Sequence, residues 1–232
     1  MCHKSCIIFG ARSLTSDEVK GKNVVEVGSR DVNGSLRPIM KAWGVERYVG
    51  LDISKGPGVD VVGSADSMTN MFGEDSFDIV ISTEVVEHIK DWRSAISNIK
   101  RVCKPGGTVL LTTRSKGYAY HGYPSDFWRY EPEDMEKIFS DFEILSLERD
   151  TEAPGVFIKA RKPDKFVETD LSNFELYSIL LGRRVNGTTV DPNRLWFLAL
   201  TLRERTKKFV FAAAKRLLRK IYPGLYYGYD SS

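Results

Sequence analysis

The chain has 232 residues, 42% hydrophobic and 28% charged, with a formal net charge of +3. That length and balance fit one globular domain with an appendage and exclude a disordered chain. No apolar run approaches the roughly 20 residues of a membrane-spanning helix, and the first nine residues lack the long apolar core of a signal peptide. A soluble, cytoplasmic protein is expected.

Residues 1–22 read as a lead-in, with Thr15 and Glu18 at capping-box spacing before a short helix. A first strand is expected at 23–28, a helix from Gly34 to Trp43, and a second strand at 47–52 that ends in Asp52. A turn at Gly56, Pro57 and Gly58 leads to a short third strand, 59–62, and a fourth spans 77–82. The stripe Ile89, Trp92, Ile96, Ile99 and Val102 predicts one helix over about 84–103. Pro105, Gly106 and Gly107 should stop it before a fifth strand at 108–113. An aromatic loop, 114–130, precedes a helix from Pro132 and two strand patterns at 142–149 and 155–161, and at Pro163 the chain changes character. Strands alternating with helices argue for a parallel sheet covered on both faces.

The stretch around Gly28 decides the cofactor. A dinucleotide fingerprint needs three phosphate glycines, but Gly28 is followed by Ser29, Arg30 and Asp31, and the next glycine is Gly34. Glu26 would repel phosphate there, whereas a ligand carrying an ammonium group tolerates it. Asp52 closes the second strand where it can take both hydroxyls of a ribose. These features point to S-adenosylmethionine.

Here the sequence resembles the class I S-adenosylmethionine-dependent methyltransferases of the type 11-like group, including ubiquinone-biosynthesis and other small-molecule enzymes. Residues 25–28 match the glycine motif, 50–52 the ribose-binding acid, 65–66 the adenine contact, 77–88 the fourth strand and its following helix, and 101–107 the turn before the fifth. The usual Gly-x-Gly is reduced here to Gly28, Ser29, Arg30. The resemblance implies a Rossmann-like α/β fold with a mostly parallel seven-stranded sheet and helices on both faces. It also implies a cofactor set of Glu26, Gly28, Ser29, Asn33, Asp52, Ile53, Ala65, Asp66 and Thr83.

Methyl transfer asks mainly for alignment and a deprotonated nucleophile. On the expected helix Glu84, Glu87 and His88 share one face, and with His121 they form a candidate shell for a divalent metal. Their spacing resembles the metal motif of ubiquinone-type O-methyltransferases and small-RNA 2′-O-methyltransferases; carboxylates at a helix start also suit its dipole without metal. His121, His88 and Glu84 are the catalytic candidates, His121 as general base. The loop resembles methyltransferases of polysaccharide and glycolipid pathways, and Tyr120, Asp126, Trp128 and Arg129 are its acceptor-binding candidates. A rigid lid packed over the sheet is the plainer reading of those aromatics.

Three cysteines cannot all pair, and Cys2, His3 and Cys6 fall short of a four-ligand site. From Arg183 to Lys220 there are eleven Lys/Arg against two acids. A basic amphipathic helix from Asn193 suits a membrane surface at its inner face, a homodimer contact or nucleic-acid phosphates. The expected organisation is a lead-in (1–22), a methyltransferase domain (23–162) and a basic helical extension (163–232). The expected activity is O-methylation of a sugar, glycolipid or other small molecule, with RNA methylation or a non-catalytic, cofactor-binding regulatory subunit as alternatives.

Overall fold

The computed structural model describes residues 3–122 and 125–188. Two helices, α1 (Lys4–Ser13) and α2 (Ser16–Val19), lead into β1 (Asn23–Val27). Then follow α3 (Arg37–Ala42), β2 (Arg47–Asp52), β3 (Val61–Val62), α4 (Met68–Phe72) and β4 (Phe77–Thr83). The chain continues through α5 (Trp92–Val102), β5 (Cys103–Arg114), β6 (Trp128–Arg129), α6 (Pro132–Ile138), β7 (Glu143–Arg149) and β8 (Gly155–Arg161). Two short strands, β9 (Leu176–Ser178) and β10 (Arg183–Val185), complete the described elements.

Seven strands make the main sheet in the order β3-β2-β1-β4-β5-β8-β7. The pairings from β3 through β5 are parallel, and β8 is antiparallel to both its neighbours. The central strands are buried on both faces, which is why β1 and β4 read as nearly continuous apolar runs. This is the Rossmann-like, mostly parallel sheet that the sequence led us to expect.

Several local expectations give way. Within the expected lead-in, Cys6 and Phe9 of α1, with Leu14 and Val19, join Val24, Leu36, Met40, Ile79, Ile81, Leu110 and Phe157 in one core. The Phe9 and Phe157 rings lie 5.0 Å apart. The capping box forms as expected, with Thr15 accepting from the Glu18 amide and Glu18 reaching back to the Thr15 amide.

The long helix expected over 84–103 is broken. Glu84 is left-handed at φ 56°, residues 86–88 make one 3₁₀ turn, and the α-helix begins only at Trp92, where Asp91 caps it by accepting from the Ser94 amide. Cys103, expected on that helix, instead opens β5 beside Phe77, where burial pushes its thiol up to about 12.

Beyond residue 162 the described chain is not helical. It forms a small antiparallel sheet, β10-β9-β6, that holds the end of the aromatic loop. The basic helix expected from Asn193, and the membrane, dimer and nucleic-acid roles attached to it, lie outside the described residues. No described helix is long and apolar enough to cross a membrane.

Because Phe9 is wholly buried against β8, Phe9→Ala should cost about 3–5 kcal/mol of stability, read by urea denaturation. A loss below about 1 kcal/mol would contradict the place of α1 in that core.

Candidate active site

A cavity of about 830 Å³ opens at the carboxyl ends of β1, β2 and β4, where chain order reverses between β2-β1 and β4. That is the place where open α/β sheets bind ligands. All the residues expected to hold the cofactor line it: Glu26, Gly28, Ser29 and Asn33 around the end of β1, Asp52 and Ile53 at the end of β2, Ala65 and Asp66 after β3, and Thr83 at the end of β4.

Gly28 is required on two counts. Its φ is +75°, and a Cβ there would meet a methyl of Val85 at 2.1 Å. Its amide and that of Ser29 both donate to the Leu51 carbonyl, which ties the turn to β2. Asp52 is held from two sides: Oδ2 accepts from the Arg30 amide at 3.2 Å, and Oδ1 from the amide and hydroxyl of Ser54. Arg30, standing where the usual second glycine would be, thus fixes the acid through its main chain.

Glu26 is buried and accepts from the hydroxyls of Tyr48 (2.9 Å) and Ser35 (2.9 Å). Burial raises its pKa, and those two donors offset only part of the rise. Tyr48 was missed in the sequence, although a tyrosine two residues before Gly50, the strand partner of Glu26, faces the same side.

The acceptor end departs further from expectation. With the helix broken, Glu84 and Glu87 diverge. Glu84 lines the cavity but ion-pairs with Arg114 and accepts from the His3 amide. Glu87, His88 and His121 come together, one ligand atom of each lying within 4.8 Å of the others. Of the four residues expected to form a metal shell, Glu84 lies outside this group.

His88 lines the cavity. Its Nδ1 lies 2.6 Å from the Ser125 carbonyl, which can only accept, so Nδ1 carries the proton and Nε2 is the basic nitrogen. His121 does not line the cavity. Its Nδ1 is 2.9 Å from Asp126 and its Nε2 is 3.7 Å from Glu87. Burial alone would lower its pKa, but the two carboxylates outweigh burial and raise it. Glu87, fully buried, also accepts from Thr113 at 2.8 Å and is held below the ordinary carboxylate range: burial opposes this, and His121 and His88 prevail.

Three of the expected acceptor residues turn inward. Asp126 and Arg129 form a buried bidentate pair, and Arg129 also bonds the carbonyls of Tyr118, Ala119 and Trp128. Trp128 is fully buried, its indole N–H donating to the carbonyls of Ile89 and Lys90. These side chains build the loop, and nothing of Arg129 is left over to orient an acceptor. Tyr120 is half-buried in the same loop and does not line the cavity. Ile89, Ser125 and Phe127, none of them flagged beforehand, do line it. Proximity of 89 to 125–127 is a tertiary fact with no local signal.

Residues 8–155 match the family described as "Methyltransferase domain". The chain belongs to that family. Its fold is that of the class I S-adenosylmethionine-dependent methyltransferases. Among relatives, it is 42% identical over 53 residues to phosphoethanolamine N-methyltransferase 2 of Caenorhabditis elegans, covering 23% of this chain and 12% of that one. It is 25% identical over 122 residues to the mitochondrial ubiquinone biosynthesis O-methyltransferase of Dictyostelium discoideum, covering 43% and 37%. The chain thus spans well under half the length of these relatives. Among solved structures, the 1,6-didemethyltoxoflavin-N1-methyltransferase of Burkholderia thailandensis superposes with a TM-score of 0.54 at 14% identity, over 68% of this chain and 79% of that one.

The Glu26 carboxylate generates a test with a definite sign. Because its folded pKa is raised, its ionised form destabilises the free protein, and that cost fades as pH falls through the raised value. Glu26→Gln should therefore melt higher than wild type at neutral pH, with the gap closing on acidification, while its affinity for S-adenosylhomocysteine drops. A melting temperature below wild type at neutral pH would contradict the assignment.

Proposed function

We propose that this methyltransferase transfers a methyl group to a hydroxyl of a small-molecule acceptor, a sugar or glycolipid among the candidates, with His88 accepting the proton. The observation that carries this reading is the Ser125 carbonyl 2.6 Å from His88 Nδ1, which leaves a basic Nε2 on a side chain lining the cavity. His121, expected as the base, becomes part of the support behind it: Asp126, His121 and Glu87 form a chain of alternating charge that ends at His88, whose Nε2 is 4.0 Å from Glu87.

The cofactor supplies a methyl group already activated on a sulfonium, so the protein's work is to bind, align and deprotonate. Gly28 leaves room for close approach, and Glu26 offers a carboxylate at the end of β1 to balance the ligand's positive charge. Asp52, pinned by Arg30 and Ser54, presents an acceptor for ribose hydroxyls, and Ile53 and Ala65 offer apolar surface to the base. A hydroxyl near His88 would give its proton to Nε2 as the oxygen attacks.

A metal-assisted version of the reaction is favoured by the grouping of Glu87, His88 and His121 alone. One carboxylate and two imidazoles suit a divalent transition ion, and His88 Nδ1 already faces a carbonyl, as the outer contact of a metal-bound histidine does. Those three residues would hold the ion, which would polarise the acceptor oxygen.

Labelled S-adenosylmethionine, offered with sugars, glycolipid extract and RNA, separates the proposal from RNA methylation and from a cofactor-binding subunit that transfers nothing. On the acceptor so found, His88→Gln should lower kcat about 10²–10⁴-fold and leave S-adenosylhomocysteine affinity nearly unchanged. Undiminished turnover would remove His88 from the reaction. Full activity in chelator, together with no heat of Mn²⁺ or Zn²⁺ binding, would dispose of the metal version.

A further inference from the structure

Arg114, the last residue of β5, is fully buried, yet none of the chemistry above uses it. Its guanidinium sits between two buried carboxylates: it ion-pairs with Glu84 and donates to Asp150 at 3.1 Å. One cation between two anions leaves a net negative charge out of water, an arrangement that stabilises weakly at best. Further donors to the two carboxylates come from the start of α1 and the turn before β8. The His3 amide and the Cys6 thiol donate to Glu84, Ser5 Oγ donates to Asp150 at 2.8 Å, and the Glu152 amide donates to Asp150.

A third contact gives the arrangement direction. The guanidinium of Arg114 stacks over the Tyr118 ring, 4.3 Å from its centroid, and that ring in turn lies edge-on to His121 at 4.9 Å. The Tyr118 carbonyl is also held by Arg129. On its other side Arg114 grips Glu84, which lines the cavity in a left-handed conformation that non-glycine residues adopt only under constraint. One side chain therefore touches a residue of the cofactor cavity and the ring that backs His121.

We infer that Arg114 is a positioning residue that couples cofactor binding to the acceptor-side histidines, through Glu84 on one side and Tyr118 on the other. This deepens the proposed function and rests on it. Lysine cannot replace arginine here, because the planar group both pairs with carboxylate and stacks on the ring.

The test follows the imidazole NMR signals of His121 while S-adenosylhomocysteine is titrated into wild type, Arg114→Lys, Tyr118→Leu, Tyr118→Phe and Ser5→Ala, with calorimetric affinities and melting temperatures taken in parallel. Wild type should show a ligand-dependent shift of His121. Tyr118→Leu should lose most of it while its affinity stays within about threefold of wild type, and Tyr118→Phe, which keeps the ring, should restore it. Arg114→Lys should behave like Tyr118→Leu if it folds, and the tyrosine pair carries the test if it does not. Ser5→Ala cuts only the tie to α1, so it should melt lower yet keep the shift. An unchanged shift in Tyr118→Leu, or losses that merely follow melting temperature across all variants, would overturn the inference. No S-adenosylhomocysteine binding by wild type would overturn the underlying cofactor assignment too, and would be recognised by the absence of binding heat.

Discussion

The packing of the aromatic loop against the sheet depends on one buried carboxylate. Glu87 is removed from water yet held below the ordinary carboxylate range, and a charge in that position must be compensated on every side or it costs several kcal/mol. Thr113 supplies a hydroxyl from β5, and His121 and His88 supply imidazoles. The Glu87 carbonyl receives the Phe127 amide, so the same residue ties the loop by its main chain. Meeting the needs of Glu87 draws the aromatic loop onto the ends of β4 and β5. Asp126 and Arg129 then extend the alternation of charge into the loop itself.

The cofactor side rests on a steric constraint instead. Gly28 has no room for a side chain against Val85, and its amide reaches across to β2. This close approach leaves Glu26, Asp52 and Thr83 around one cavity. The missing second glycine is absorbed because the position is needed for an amide, and Arg30 provides that as well as glycine would. The two sides meet at Glu84, where the strand has ended and the backbone turns left-handed under the hold of Arg114 and α1.

The strands and the residues that line the cavity at their ends were legible because they depend on local chemistry. β2 and β8 run over the expected residues, since their apolar stretches are bounded by turn-formers and charges. Gly28 and Asp52 lie at strand ends, and a strand end in a parallel sheet has a known place. The segment over 84–103 was not legible in the same way. Its stripe of Ile89, Trp92, Ile96, Ile99 and Val102 fits a helix throughout, but Asp91 caps a shorter one and Glu84 is claimed by Arg114, 30 positions along the chain. Arg129 was misjudged for a related reason: an arginine among aromatics reads as a ligand for an acceptor, and here an aspartate three residues earlier consumes it.

The amino-acid sequence by itself determined the sheet and the place of Gly28 and Asp52 at its strand ends, because strand periodicity and the glycine spacing carry those locally. Tertiary structure alone decided which of the candidate histidines faces the cavity, which carboxylate leaves their group, and which loop side chains turn inward. Those choices are settled by burial: once water is excluded, each charge takes the nearest partner that the folded sheet presents, and that partner is remote in the chain.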